Sequence, residues 1–297
     1  MHPSSAARLA LAALLLAPGL CGAQEDPGAT GPHAVAKLRL KVAGVGWFGT
    51  RLDVRYPRDL AGPRPVVLIC HGFLAWSSKF VPLAEHLASR GFVAASFQQP
   101  NVLSNDTPKW ARQLRKGLET LLAAGQDPAS PLRGRLDPAR VALLGHSFGA
   151  AACVVLASEE PGLRGVVCLA PVNQKHRALL LARGAALRVP LLTITGQRDP
   201  LARTKDYVHP LFQGAALSPR RAFLEVKGGG HDLYVGNGER ARLARRHATA
   251  WLEWILGARP LDAWTSGQRA RLELEQGSLS RVDHAAAGGL LSALPGQ

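Results

Sequence analysis

The sequence predicts an α/β domain in which a mostly parallel, eight-stranded sheet is flanked by helices and carries no large cap domain. Two observations predict it. Short apolar, β-branched runs recur at 37–43, 51–56, 65–70, 92–97, 140–145, 164–169, 190–196 and 222–226. From the third run onward helical stretches separate them, the pattern of parallel βα units after an antiparallel start. In addition, the run Val141–Leu144 breaks at once into Gly145-His146-Ser147-Phe148-Gly149 and then the apolar stretch Ala150–Ala157. That is a buried strand, a tight turn and a helix in immediate succession.

In chain order, the first 23 residues read as a targeting segment and not as part of the fold. Arg8 supplies a positive start, Leu9–Ala17 a short apolar core, and Cys21-Gly22-Ala23 a small-residue cleavage site. The apolar core falls short of the roughly 20 residues that cross a bilayer, so no stable membrane insertion is expected. Acylation of Cys21 wants a small preceding residue, and the chain has Leu20 there. Cleavage after Ala23 is therefore expected, giving a secreted or periplasmic protein. Residues 24–34 form a polar leader and 35–257 the α/β domain. With 297 residues, 47% of them hydrophobic, the chain can build one large core. The last core helix is Glu239–Leu256, with Leu243, His247, Trp251, Trp254 and Ile255 at helical spacing, stopped by Gly257 and Pro260. Residues 258–297 are an extension: Arg269–Gln276 fits a short helix, Ala285–Gln297 carries no chemistry, and partial disorder is expected.

The turn at 145–149 is a G-x-S-x-G nucleophile elbow, which lifts a serine hydroxyl above the sheet on a strand-to-helix corner. Its tightness demands residues without bulk two before and two after the serine, hence Gly145 and Gly149. Two further pieces follow in the order Ser, Asp, His. The strand 190–196 leads into Asp199, and the strand 222–226 runs through Gly228-Gly229-Gly230 into His231. Both lie just beyond strand ends, where open α/β sheets gather their chemistry. Ser147 is thus the candidate nucleophile, His231 the base, and Asp199 the group that orients the imidazole. Asp232 and Asp206 are rival acids; the first adjoins His231 and would point elsewhere, and the second falls in the next helix. The oxyanion hole calls for the backbone N–H of Phe148 and one from the loop after the third strand, His71-Gly72-Phe73, where Phe73 is the natural donor. His71 reads as a brace for that loop, not as a proton carrier.

His71-Gly72-Phe73, Ser89–Val93, Asp137–Gly149 and Phe223–His231 together resemble the α/β-hydrolase superfamily. Within it the chain is most similar to the dienelactone-hydrolase-like branch, which holds cutinase-like polyester hydrolases, chlorophyllases and platelet-activating-factor acetylhydrolases. The likeness spans residues 50–257. It implies the α/β-hydrolase fold and carboxylic-ester hydrolysis without a cofactor, with Ser147, Asp199 and His231 on the triad positions. There are departures from the polyester hydrolases. Ala170-Pro171-Val172-Asn173 stands where they carry an aromatic clamp, His146 and Phe148 flank the serine where Trp or His and Met are common, and no cysteine follows Cys168 to form their C-terminal disulfide. The expectation is a serine esterase favouring short to medium acyl chains on a small-molecule or lipid ester. A lipase, phospholipid acyl hydrolase or polyester hydrolase is the alternative. A non-catalytic scaffold is a remote reading, disfavoured by the complete Ser, Asp and His order.

The interval Asn173–Arg188 between the sixth and seventh strands has room for one short helix. An open cleft is expected, with Phe73, Trp76, His146, Phe148 and Val172 as substrate contacts and Lys175, His176 and Arg177 at its rim. Cys70, Cys153 and Cys168 read as small core hydrophobes. No spacing of His and Cys suggests a metal site, and no cofactor is expected. The net charge is +15 with arginine far in excess of lysine. This fits both GC-rich codon usage and electrostatic contact with anionic surfaces. No basic cluster interleaved with aromatics marks a nucleic-acid partner.

Overall fold

A computed structural model of the chain describes residues 26–46, 49–260, 268–286 and 289–291. The targeting segment read at 1–23, with its cleavage after Ala23, lies outside the described residues.

Ten strands form one sheet: β1 (Val35–Val42), β2 (Thr50–Pro57), β3 (Arg64–Cys70), β4 (Val93–Phe97), β5 (Leu136–His146), β6 (Gly165–Leu169), β7 (Leu191–Gly196), β8 (Arg220–Val226), β9 (Leu279–Ala286) and β10 (Gly289–Leu291). Their order is β1-β2-β4-β3-β5-β6-β7-β8-β9-β10. β1, β2 and β4 pair antiparallel, and every pair from β4–β3 to β7–β8 is parallel. The chain moves outward from β3 to β4 and then crosses back so that β5 lies on the other side of β3. That reversal is a switch point, and it leaves a crevice at the carboxyl ends of β3 and β5. Cys70 and Gly145 are register partners there, so the loops after them start level with one another.

The central strands are apolar on both faces because helices cover both. Val66, Leu68 and Cys70 meet the layer formed by α2 (Thr107–Ala124), α3 (Phe148–Glu159), α4 (Arg177–Ala185) and α5 (His209–Gly214). Val67 and Ile69, pointing the other way, meet α1 (Val81–Ser89) and α6 (Glu239–Ile255). α2 shows how sequence makes such an element. Asp106 caps it by accepting the Lys109 N–H at 2.9 Å, Pro108 sits in the first turn, and Trp110, Leu114 and Leu121 bury one stripe. α3 has no stripe, since Ala150–Ala157 is buried all round under the elbow. α4 is the whole content of the interval between β6 and β7, as its length implied.

The eight expected strands are present and the C-terminal extension adds two more. Its helix α7 (Gln268–Glu275) precedes β9, which pairs antiparallel with β8. Burial in Leu279–Ala286 does not alternate with period two: the register slip between Glu225 and Val226 brings Leu279 and Val282 to one core cluster, while Ala285 is buried in the cluster on the opposite face. The extension is pinned by the buried carboxylate of Glu273, which takes hydrogen bonds from His247 and, at 3.2 Å, from Arg246 on α6.

Candidate active site

Ser147 sits between β5 and α3 with φ +56° and ψ −124°, a conformation that costs a residue with a Cβ about 1–3 kcal/mol. The surroundings hold it there: its N–H donates to Leu169 at 2.9 Å, and its carbonyl accepts Ala150 and Ala151 N–H at 3.0 and 3.2 Å. Gly145 and Gly149 are required by close approach. A Cβ on Gly145 would lie 2.5 Å from Ala150 Cα, and one on Gly149 would lie 2.3 Å from the His71 carbonyl oxygen.

Gly196 of β7 and Val226 of β8 are register partners, so the loops carrying Asp199 and His231 leave the sheet side by side. His231 Nδ1 is 2.8 Å from Asp199 Oδ2, and its Nε2 is 3.0 Å from Ser147 Oγ. Asp199 Oδ1 meanwhile accepts the N–H groups of Leu201 and Ala202, both at 2.8 Å. Burial works to raise the Asp199 carboxyl, but the hydrogen bond and charge of His231 and the two backbone donors outweigh it, holding the group below the usual carboxylate range. An ionised Asp199 places the imidazole proton on Nδ1 and leaves the Nε2 lone pair facing the serine hydroxyl.

The loop after β3 closes the other side. Among the described residues, neither the Phe73 nor the Phe148 N–H donates to a protein acceptor. His71 is buried, its Nδ1 donating to Gly72 O at 2.8 Å and its Nε2 accepting Gln99 N–H at 2.9 Å. Burial pushes its imidazole down to about 4, against the raising effect of the Gly72 bond, so it is neutral at pH 7. A serine in a strained backbone conformation, an imidazole bonded to Asp199 and two N–H groups without a protein acceptor at one crevice form an arrangement that can serve acyl transfer.

A family model described as PET hydrolase-like matches residues 24–259. The chain belongs to this family. It is 28% identical over 224 residues to cutinase 2 of Thermobifida cellulosilytica, covering 75% of this chain and 80% of that one. Cutinase cut1 of Thermobifida fusca is also 28% identical, across 75% of this chain and 66% of the relative, just under two thirds of its length. A bis(hydroxyethyl) terephthalate hydrolase of Streptomyces coelicolor shows 28% identity across 75% of this chain and 67% of its own. The protein is accordingly a serine carboxylic-ester hydrolase of the α/β-hydrolase fold.

In this PET hydrolase-like enzyme the two rival acids are engaged elsewhere. Asp232 is exposed, with Lys79 at 3.9 Å, and Asp206 pairs with Arg203 at 2.6 Å. His146 and Val172, expected as substrate contacts, are both buried. His146 donates from Nε2 to the carbonyl of His231 at 3.0 Å, with its ring 4.8 Å from the His231 ring, so it braces the loop that carries the base. Burial, then the charge of His231, push its imidazole down to about 4. Val172 packs with Ala170, Tyr207, Phe212 and Phe223, an apolar cluster that the sequence alone does not set apart from a cleft wall. Phe73 and Trp76 are 36% and 56% exposed, and Phe148 lies 5.2 Å from Phe73 ring to ring. Of the proposed rim, Lys175 is exposed and His176 leads into α4, while Arg177 donates to the Asp206 carbonyl at 2.8 Å.

Sequence reasoning missed Leu74 and Leu103, which are 61% and 67% exposed on two loops tied by the Leu74 N–H to Val102 O bond at 3.0 Å. It also missed Tyr234, whose hydroxyl donates to Ile194 O at 2.7 Å while its ring packs on His146. Gln98 and Gln99, two buried amides directly after the apolar β4, were the available signal for the His71 network. Cys70, Cys153 and Cys168 are buried free thiols, and burial pushes Cys70 up to about 12. Among the described residues no helix is long and apolar enough to cross a membrane.

Proposed function

We propose that Ser147, His231 and Asp199 carry out ester hydrolysis through an acyl-enzyme on Ser147, in a cleft open to short and medium acyl chains. One observation carries this: a single imidazole stands at hydrogen-bond distance from both the Asp199 carboxylate and the Ser147 hydroxyl, 2.8 and 3.0 Å. His231 Nε2 takes the hydroxyl proton as Ser147 Oγ bonds to the ester carbonyl carbon. The resulting oxyanion accepts the N–H groups of Phe73 and Phe148. The bond to the leaving alkoxide breaks as His231 returns the proton to it, and a water activated by the same imidazole releases the acid and restores Ser147.

Polyesters are the second reading, and two things favour it. The relatives are named as cutinases and as a terephthalate-ester hydrolase. Phe73, Leu74, Trp76 and Leu103 also present an apolar rim beside the crevice that suits an ester held at a solid surface. Secretion or a periplasmic location is supported by the pattern Arg8, Leu9–Ala17, Ala23. A panel of p-nitrophenyl esters from acetate to palmitate, run beside a polyester film, tests the substrate reading. Labelling by a fluorophosphonate, located by peptide mapping, tests Ser147; a label elsewhere, or none in an active sample, refutes the assignment.

A further inference from the structure

A groove of about 1010 Å³ opens beside the catalytic loops without including Ser147, Asp199 or His231. It is bounded by the ends of β7 and β8, the first turns of α6, and α7 with the turn into β9. Its lining is strongly basic: Arg198, Lys227, Arg240, Arg242, Arg246 and Arg269 face it, against the carboxylates of Glu239 and Glu273. Glu273 is buried and already committed to His247, Arg246 and Arg269. Arg246 additionally meets Asp26 at 2.9 Å. Among the described residues, Arg198, Lys227, Arg240 and Arg242 have no carboxylate partner within salt-bridge distance.

The walls are held in place and leave the cations uncovered. Arg240 Nε donates to the Lys227 carbonyl at 2.9 Å, and Gln197 Oε1 accepts the Gly228 N–H at 3.0 Å. A Cβ on Gly228 would stand 3.0 Å from an Arg240 guanidinium nitrogen, and one on Gly277 would stand 3.6 Å from Lys227 Nζ. Like charges gathered in one concavity repel, and a bound anion relieves that repulsion. Guanidinium groups match phosphate oxygens in bidentate fashion, each phosphate offering several acceptors and close to two charges. The volume is that of a small-molecule site and exceeds what one phosphate fills.

We propose that this groove binds an anion carrying two or more phosphate groups. The site is independent of the ester-hydrolase reading. The competing explanation is that an arginine-rich chain of net charge +15 attracts anions everywhere, and the test is built to separate the two.

Binding of inorganic tripolyphosphate is measured by titration calorimetry on the wild type, on Arg198→Ser/Lys227→Ser, and on Arg133→Ser/Arg188→Ser. The last removes the same charge from exposed positions outside the groove. The groove variant should bind at least tenfold more weakly, and the control should change less than twofold. Turnover of p-nitrophenyl butyrate, the same in all three, confirms that each is folded. Sedimentation with vesicles containing cardiolipin, whose headgroup carries two phosphates, forms the second arm. If vesicles bind with that same ranking while tripolyphosphate does not, the phosphate belongs to a lipid headgroup; the reverse assigns it to a free polyanion. Equal weakening in both variants, or no binding of either probe, overturns the proposal.

Discussion

The imidazole of His71 donates from Nδ1 to the carbonyl of Gly72 at 2.8 Å, and that carbonyl belongs to the same peptide group as the Phe73 N–H. A hydrogen bond to one end of a peptide fixes its plane and polarises the other end. His71 therefore sets the direction of a donor that lies beside Ser147, and Gln99 N–H fixes the tautomer by bonding Nε2 at 2.9 Å. Removing an oxyanion donor outright costs about 10²–10³ in kcat. Misdirecting one should cost somewhat less, so His71→Ala is expected to lower kcat on p-nitrophenyl butyrate by about 10–100-fold with KM nearly unchanged. Steady-state kinetics, with circular dichroism to verify folding, decide it: a wild-type kcat means that the loop holds its peptide without the imidazole.

The elbow glycines differ from other glycines in what surrounds them. Gly149→Ala would drive a Cβ to 2.3 Å from the His71 carbonyl oxygen, a backbone atom that cannot swing aside. A loss of about 3 kcal/mol or more in unfolding free energy is expected, together with loss of activity, since the same collision displaces the loop bearing Phe73. Gly162→Ala, with no atom within 4 Å of its added Cβ, should unfold in urea as the wild type does. Urea denaturation of the pair is the check, and equal midpoints would show that the elbow tolerates a side chain.

How much of the site was legible follows from the same geometry. Gly145, Ser147 and Gly149 fall within one five-residue stretch, and the order Ser, Asp, His after successive strands is written along the chain, so the three residues that meet at 2.8 and 3.0 Å were identifiable without coordinates. His146 and Val172 were not, because neither a place next to Ser147 nor one just after β6 says which way a side chain points; both are buried. β9 was hidden because its register slip separates the same-face pair Leu279 and Val282 by three and its other face buries Ala285, so no alternation marks the strand. Leu74, with φ +55°, is exposed on a loop whose path depends on a partner 28 residues away in sequence, the Val102 carbonyl.

Outside the triad, His71, His86 and His146 are buried and His284 is half-buried, and all four are held neutral at pH 7. Burial is the leading cause at His71, His86, His146 and His284, each pushed down to about 4. In the unfolded chain a histidine takes its proton near pH 6.5. Between about pH 6.5 and pH 4 the unfolded state therefore binds more protons than the folded one, and stability falls as the pH falls, by up to about 1.4 kcal/mol per pH unit for each such group. Asp199 is lowered as well, and its contribution is present above the unfolded carboxyl value and lost as the pH drops through its folded one. Urea unfolding at pH 7 and at pH 5 should show a clear loss of stability at the lower value. An unchanged free energy would mean that these histidines take up protons in the folded state.

The interval between β6 and β7 contains only α4, nine residues long, so among the described residues no lid is inserted there over Ser147. An enzyme with an apolar lid turns over slowly until an interface displaces it; one without has nothing to displace. The rate on tributyrin should rise smoothly through its solubility limit. Chain length should act in the same sense. Each methylene buried against protein contributes about 0.8 kcal/mol, and a cleft whose exposed wall is Phe73, Trp76, Leu74 and Leu103 has little to enclose a long acyl chain. The expected order on p-nitrophenyl esters is butyrate and hexanoate above palmitate in kcat/KM. A sharp jump in rate at tributyrin saturation, or a preference for palmitate, would require a covering element over the crevice and would overturn the reading of an open site.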